Sequence, residues 1–469
     1  MSNTSSETVA YGPEFLERMR QWLVACGNFR LLGSPADDIY PFASPLVLSV
    51  ERHLLVSDAV SKICTALEKL ASKLASDKKL AREVLLLKSP LEEEFFFQEH
   101  GLGSPLPVRR LDMVLDGQGL TRLLEVNCGC PGGELDPALV AEAHLKASGG
   151  KLPSDVQFLD PRQESLDTLL SCYREFRKTR PELPEVPRVA LLTSKAQASF
   201  MIPECRGIAQ YYRAKGIQTV VGQLEDLRPA RDCLTVGGEP VSLVFRKFST
   251  ESFRRRLENP NVYGTEAIGA RILWEAVSEG KLCLVNPLGS TLLQDKGLLE
   301  ALRREFRELK DIVPQTFIIE PRLKSTEPEL WETIRSGEAF VLKRRLSYGG
   351  RHVILDPQSV SREAPRLMQD EPGAWVAQER VCMGKEMFSV WEPTGIKRGE
   401  LPFVLSPFGR SAFVRVGLDP SSRGPINAHR GSATGFVLVR ETRTGSTDKR
   451  SGVDEGRGFN GDPSWSLES

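Results

Sequence analysis

Residues 109–127 read RRLDMVLDGQGLTRLLEVN. Apolar and polar residues alternate on both sides of Gly117, Gln118 and Gly119, which predicts two short strands joined by a glycine-rich turn. Residues two apart on a strand share a face, so Arg110 and Asp112 point one way and Leu111, Met113 and Leu115 point the other, into a core. On the second strand Glu125 and Asn127 share a face, with Leu124 and Val126 opposite. A turn centred near Gln118–Gly119 pairs Asp112 with Glu125 and Arg110 with Asn127, and directly opposed Cβ atoms lie ~5 Å apart. Two close carboxylates repel unless something positive sits between them. A hard divalent cation with oxygen ligands fits, and Mg²⁺ takes a few carboxylates plus phosphate oxygens. A neighbouring Arg would hold phosphate bidentately. The plain alternative is a solvated polar face of a hairpin.

The chain around this hairpin has 469 residues, room for two or three packed units. Lys plus Arg number 62 and Asp plus Glu number 62, a balance that argues against a nucleic-acid binder. No apolar run approaches the ~20 residues of a membrane-spanning helix, and MSNTSSETVA lacks the basic and apolar regions of a signal peptide. Nine cysteines, mostly in apolar segments, point to reduced thiols and a cytoplasmic protein. Cys128 and Cys130 have no second pair and no nearby His, which argues against zinc. The five histidines (53, 100, 144, 352 and 429) show no ligand spacing.

Residues 1–13 and 441–469 are polar and are expected to be disordered. Residues 14–150 are expected to form a helical layer followed by the hairpin. Phe15, Met19, Trp22 and Leu23 recur at helical spacing, as do Val60, Ile63, Leu67 and Leu70. Residues 149–160 read as a linker. Residues 160–290 alternate strands (Val189–Thr193, Gln218–Val221, Leu243–Phe245) with helices, the pattern of a small α/β unit with a largely parallel sheet. Arg246 and Lys247 end a strand of this unit and could face the cleft, but are expected to be an exposed basic pair. The clusters Arg254–Arg256 and Arg303–Arg304 are expected to be solvated helix faces.

Residues 291–440 hold further candidates. Lys296 follows LVNPLGSTLLQD, and Lys343 ends the apolar strand AFVLK ahead of RRLSYGGRHV. A Lys after buried strand residues and before Gly349–Gly350 is placed to meet a phosphate, and the turn offers backbone N–H groups to the same anion. Gln378 and Glu379 lie on an alternating strand, and Glu386 follows seven residues after Glu379. A strand end can present its backbone to an adenine edge, and a later Glu can accept two ribose hydroxyls. For each segment alone, an ordinary hairpin or strand edge is the plain alternative.

Together these segments resemble the ATP-grasp superfamily. The seven-residue step from Glu379 to Glu386 and the set Asp112, Glu125, Asn127 look like the nucleotide and Mg²⁺ segments of D-alanine–D-alanine ligases. Here the metal set precedes the lysines instead of following them. That order, with Arg110-x-Asp112 and Glu125-x-Asn127, is similar to the circularly permuted ATP-grasp proteins typified by glutathionylspermidine synthetases. NPLGSTLLQDK and FRKFST are also similar to that group. The resemblance covers roughly residues 105–440. It departs from the group in the loop Cys128-Gly-Cys-Pro-Gly-Gly133, and no amidase-like N-terminal domain is expected.

The resemblance implies an α/β (α+β) fold: a circularly permuted ATP-grasp with a small parallel-sheet pre-ATP-grasp unit and a helical N-terminal layer. It implies an ATP-dependent carboxylate–amine ligase working through an acyl phosphate. Asp112, Glu125 and Asn127 would hold Mg²⁺, and Arg110 and Arg415 would meet the transferring phosphoryl group. Lys296 and Lys343 would bind the α- and β-phosphates. Gln378, Glu379 and Val381 would line the adenine, with backbone contacts from Glu379 and Val381, and Glu386 would take the ribose. Ser347, Gly349 and Gly350 would belong to a lid, and Asn427 to a loop that follows the nucleotide strands, before the Gly431 turn. The implied partners are ATP and small-molecule carboxylate and amine substrates, with a homodimer also compatible and no nucleic acid or membrane. The alternatives are a phosphotransferase acting on a small molecule and a nucleotide-binding protein without turnover.

Overall fold

The structure, a computed structural model, describes residues 11–27, 29, 39–116, 119–231, 233–420, 425–427 and 431–440. Residues 1–10 and the tail from 441, both expected to be disordered, lie outside the described residues, as does His429. Residues 11–13, expected to share that disorder, are placed: Pro13 starts a helix to Cys26, and the Tyr11 hydroxyl meets His144 Nε2 at 2.7 Å.

The hairpin is built into a nine-stranded mixed sheet. Its main path runs Lys385–Glu392, Phe42–Ala43, Ala433–Arg440, Ser411–Val416, Gly395–Phe408, Arg110–Leu115, Thr121–Asn127. Leu46–Ser49 and Val156–Phe158 also pair with Ala433–Arg440. The long strand Gly395–Phe408 joins two regions. Its half-exposed first part pairs with Lys385–Glu392, while its buried second part, LPFVLSPF, lies between Ser411–Val416 and Arg110–Leu115. Beneath the hairpin runs the helix Val50–Ser76, started by Ser49, whose hydroxyl accepts the Arg52 N–H. Its Ile63, Leu67, Leu70 and Leu74 share one core with Leu111, Met113 and Leu123 of the hairpin and with Leu298, Leu299 and Leu302. Each such buried side chain contributes about 1.5–3 kcal/mol relative to exposure, so the apolar face of the hairpin fixes which way its polar face looks.

The α/β unit is a four-stranded sheet in the order Cys283–Val285, Leu243–Arg246, Val189–Thr193, Thr219–Gln223, with every pair parallel. Val189–Thr193 and Leu243–Arg246 are buried at every residue, as strands covered on both faces should be. In chain order the first strand is central, the second lies on one side, and the third and fourth lie on the other. The connections therefore diverge between Val189–Thr193 and Leu243–Arg246. The second half of the chain contributes a four-stranded antiparallel sheet in the order Thr316–Ile318, Trp375–Glu379, Phe340–Arg344, Val353–Ile354. Its helices Pro328–Ser336 and Pro357–Asp370 supply Trp331, Ile334, Val360 and Leu367 to the core.

Three segments differ from expectation. The stretch before residue 100 is helical except for Phe42–Ala43 and Leu46–Ser49, which join the large sheet. The segment 149–160, read as a linker, contains the strand Val156–Phe158. These strands pair with Ala433–Arg440, far away in sequence, so no local pattern marks them. Arg256, expected on a solvated face, is buried and paired with Glu266. Among the described residues the nine cysteines form no disulfide. Among the described residues no helix is long and apolar enough to cross a membrane.

Candidate functional site

The hairpin register places Arg110 opposite Asn127 and Asp112 opposite Glu125. Arg110 grips Asp112 with two bonds, Nε to Oδ1 at 2.9 Å and Nη2 to Oδ2 at 3.1 Å. Its Nη1 reaches the Gly132 carbonyl at 2.8 Å. Arg415, two strands away, brings Nη2 to 2.8 Å from Asp112 Oδ1. Ser406 and Asn127 donate to the same carboxylate at 3.0 and 3.2 Å. Burial opposes a charge on Asp112, but Arg110 and Arg415 outweigh it and hold the carboxyl far below its usual range. Arg415, expected from sequence to be as often a surface residue as a site residue, is only 6% exposed, and its Nε is buried without a hydrogen-bond partner among the described residues.

Two lysines complete the cluster. Lys296 Nζ lies 3.3 Å from Glu125 Oε2 and donates to the Ser347 carbonyl at 2.7 Å. Its backbone N–H meets the Arg345 carbonyl, and the Arg345 guanidinium holds the adjacent Asp295 at 2.6 and 2.9 Å. Lys343 Nζ donates to Gln378 Oε1 at 2.6 Å and to the Leu124 carbonyl at 3.4 Å. The hairpin register shifts after Asp112, so Leu124 is an extra residue on its strand. Such a bulge re-aims the backbone, here turning the Leu124 carbonyl toward the antiparallel sheet. Burial lowers the Lys343 ammonium to about 8; Glu125 and Asp112 pull it back up, and Lys296 adds to the depression. Four cations (Arg110, Arg415, Lys296, Lys343) thus face two carboxylates (Asp112, Glu125), an excess of two positive charges suited to a polyanion.

The remaining candidates lie near the hairpin or on the strands that follow the antiparallel sheet. Val381 and Met383 pack with Leu124, Val114, Val404 and Ile426 in an apolar patch. The Glu379 N–H is spent on the Gln315 carbonyl at 2.7 Å, which narrows the expected backbone contact at Glu379 to its carbonyl. The Glu379 carboxylate accepts from Arg122 and from the Gln315 N–H, at 3.0 and 2.9 Å. Glu386 is held by Arg52 Nη1 at 3.0 Å. Ser347, Gly349 and Gly350 follow the strand of Lys343. Both glycines have positive φ (70° and 67°), the conformation their missing Cβ permits. Asn427 is buried.

The donor set bears on the expected Mg²⁺. Among the described residues no three His, Cys, Asp or Glu side chains form a metal cage. Glu125 and Asn127 are half-buried at the mouth of the cluster. One carboxylate, one amide oxygen and phosphate oxygens suit a cation that is bound through few protein ligands. Asp112 already accepts four hydrogen bonds, against about four lone-pair sites on a carboxylate, and is ion-paired with Arg415. It would join a metal only by releasing one of them.

A second cluster lies beyond the loop 128–134. Lys247 and Arg246, expected to be exposed, are both fully buried. They end a strand covered on both faces, so each points into packed protein. Arg246 donates to the carbonyls of Asn286, Phe248 and Pro287 and to the hydroxyls of Ser290 and Thr291. Lys247 pairs with Glu134 and lies 3.8 Å from Glu204. Burial, then Glu204, pushes the Asp136 carboxyl up to about 7. Glu134, Glu204, Asp136, Ser406 and Arg52 were not singled out from sequence. Glu134 follows the CGCPGG loop directly, a signal that was available; Glu204 lies inside a helix and shows none.

No protein-family model matches the chain, and no curated protein matches it. Among solved structures it is similar to a glutathione synthetase-like effector from Globodera pallida in its apo form. The TM-score is 0.56 at 13% identity, over 93% of this chain and 96% of that one. A putative gamma-glutamylcysteine synthetase from Methylobacillus flagellatus KT matches over 80% and 87% of the two chains, with a TM-score of 0.39 and 11% identity. D-alanyl-alanine synthetase A from Vibrio cholerae O1 biovar eltor matches over 50% and 68%, with a TM-score of 0.27 and 8% identity. The last two are too distant to carry weight. The first shows a shared fold of mixed helix and sheet, and does so at an identity that leaves function to the site.

Proposed function

We propose that this protein is an ATP-dependent carboxylate–amine ligase with a circularly permuted ATP-grasp site. The supporting observation is the cluster of Arg110, Arg415, Lys296 and Lys343 around Asp112 and Glu125, at the junction of the hairpin and the antiparallel sheet. The cluster combines an excess of positive charge with oxygen donors, as a metal-bound triphosphate requires. The likeness to a glutathione synthetase-like effector agrees with this reading at the level of fold.

In this reading the apolar patch around Val381 takes the base and Glu386 takes the ribose. Lys296 and Lys343 hold the phosphates, and Glu125 and Asn127 hold Mg²⁺. The bound cation would neutralise phosphate charge during transfer. The substrate carboxylate oxygen bonds to the γ-phosphorus while the bond to the bridging oxygen breaks, and ADP leaves. The amine nitrogen then bonds to the acyl carbon, loses a proton, and phosphate departs. Arg110 and Arg415, oriented by Asp112, meet the charge on the transferring group, so catalysis rests on placement and electrostatics. The loop at Ser347–Gly350, held to Lys296 through the Ser347 carbonyl, would cover the acyl phosphate against water.

The test is calorimetric titration of ATP with and without Mg²⁺, on wild type and Glu125→Ala. Mg²⁺-dependent binding that weakens in the variant supports the site. A wild type that binds no ATP rejects the ligase reading. With binding in hand, acid and amine pairs are screened for joint release of ADP and phosphate.

A further inference from the structure

Of the four cations in the basic cluster, Arg110, Lys343 and Arg415 stand on strands. Lys296 does not: it lies between the 3₁₀ turn Leu288–Gln294 and the helix Leu298–Glu305. Holding a lysine in one place on a connecting segment costs conformational entropy, so something must fix it. The ion pair beside it does so. Asp295 and Arg345 are both buried, 2% and 5% exposed. Arg345 Nε lies 2.9 and 3.0 Å from the two Asp295 oxygens, and its Nη2 reaches Oδ2 at 2.6 Å. Nη2 also donates to the Val84 carbonyl at 2.7 Å, and Nη1 to the Gly373 carbonyl at 3.2 Å. The guanidinium is thereby committed to protein oxygens. Asp295 in turn accepts the Gly297 N–H at 2.8 Å, and the Lys296 N–H donates to the Arg345 carbonyl at 3.3 Å. The pair therefore closes a ring around the Lys296 backbone. Gly297 is part of the fit, since a Cβ there would lie 2.5 Å from Arg345 Nε.

Arg345 also joins the two lysines. It directly follows the strand Phe340–Arg344, which carries Lys343, and its N–H bonds to the Ala374 carbonyl at 3.0 Å. Two residues further on, the Ser347 carbonyl accepts from Lys296 Nζ at 2.7 Å, with Glu125 Oε2 at 3.3 Å on the same ammonium. A buried ion pair is weak evidence for stability, because apolar side chains of similar volume serve as well. What this pair adds is direction. We propose that Asp295 and Arg345 are positioning residues that act through Lys296, holding its backbone so that its ammonium stays between Glu125 and the loop at Ser347. Neither residue needs to touch the nucleotide. The proposal rests on the ligase reading for what Lys296 then meets, a phosphate, and on this geometry alone for the clamp.

The experiment compares wild type with Asp295→Leu/Arg345→Met, which replaces the pair by apolar side chains and leaves no unpaired charge. The melting temperature is expected to stay close to wild type. Calorimetric affinity for ATP with Mg²⁺ is expected to fall at least about tenfold, the worth of one hydrogen bond to a charged group. The same replacement is then made in Lys296→Ala. If the pair acts through Lys296, the affinity already lost there is not lost again, and the cycle is strongly non-additive. Additive losses overturn the proposal, as does unchanged ATP affinity in the double variant. A merely structural pair would add its loss to that of Lys296→Ala. If the apolar double variant does not fold, Arg345→Lys, which keeps the charge and loses the fork, takes its place in the same cycle. Amide hydrogen exchange of residues 344–352 is followed without nucleotide. It is expected to quicken in the pair variant and in Lys296→Ala alike, and equal exchange in wild type and both variants overturns the clamp. A wild type that binds no ATP rejects the ligase reading by itself, while the exchange measurement, which needs no nucleotide, still decides the clamp.

Discussion

Two buried charge clusters flank the loop 128–134, and they have opposite sign. On the hairpin side, Arg110, Arg415, Lys296 and Lys343 outnumber Asp112 and Glu125. On the parallel-sheet side, Glu134, Glu204 and Asp136 outnumber Lys247. A protein gains no stability from leaving either excess uncompensated, because burial penalises every unpaired charge. The two clusters meet where Arg110 donates to the Gly132 carbonyl. The difference shows that one short loop separates two buried fields of opposite sign.

The largest effect is expected from breaking the acidic side. Lys247→Met leaves the Glu134 carboxylate buried without its ammonium, and removing one partner of a buried pair costs about 3–5 kcal/mol. The measurement is urea unfolding of wild type, Lys247→Met and the double variant with Glu134→Gln. The double variant is expected to recover most of the loss, because both charges are then gone. A single variant as stable as wild type would mean that the pair does not organise the cluster.

Next comes the basic side. Arg110→Lys keeps a charge but loses the fork that grips both Asp112 oxygens and the Gly132 carbonyl together. Loss of one preorganised donor to a transition state costs about 10²–10³ in rate. ADP release with an active acid and amine pair is expected to fall by that much while the melting temperature changes little. A fall of less than tenfold would remove Arg110 from the reacting centre.

How much of this contrast could be read in the sequence differs between the two sides. Asp112 and Glu125, and Arg110 and Asn127, pair as strand alternation requires, because a two-residue period and a short turn leave little freedom of register. The bulge at Leu124 was not legible, since it shifts the pairing only beyond Asp112. Arg415 was visible on its strand, but its burial was not, because the strands that cover it are close only in the fold. Lys247 was misjudged for the same reason. A basic pair at a strand end looks solvated until Glu134 and Glu204 arrive from segments over 100 and 40 residues away. Local periodicity reports faces; it does not report which distant carboxylate meets a lysine.

A smaller effect separates the lysines of the basic side. Burial pushes the Lys343 ammonium down to about 8, below its ordinary range. Its folded-state value is depressed, so it is charged below about 8 and neutral above, and phosphate binding needs the charged form. ATP affinity is therefore expected to fall as pH rises through 8, approaching tenfold per unit once Lys343 is mostly neutral, although bound phosphate will move the onset upward. Lys343→Arg keeps its charge throughout and is expected to flatten the profile. Calorimetry from pH 6.5 to 9.5, about three units around that value, reads the difference. An unchanged slope in the variant would assign the titration to another group.

The smallest effect tests how far the basic field reaches. Arg52 holds Glu386, the residue proposed for the ribose, at 3.0 Å, and its side chain is 35% exposed. An ion pair at such a rim is screened by solvent and contributes about 0–1 kcal/mol. If the excess of positive charge matters only where phosphates lie, Arg52→Ala should weaken ATP by no more than about fivefold, whereas Lys296→Ala should weaken it far more, because Lys296 is buried beside Glu125. The comparison is made at two salt concentrations. Screening should erase the Arg52 effect and spare most of the Lys296 effect, since buried pairs feel bulk salt less. A large, salt-resistant loss in Arg52→Ala would mean that this arginine fixes Glu386 for the ribose. The helix Val50–Ser76 would then belong to the nucleotide site as well as to the floor beneath the hairpin.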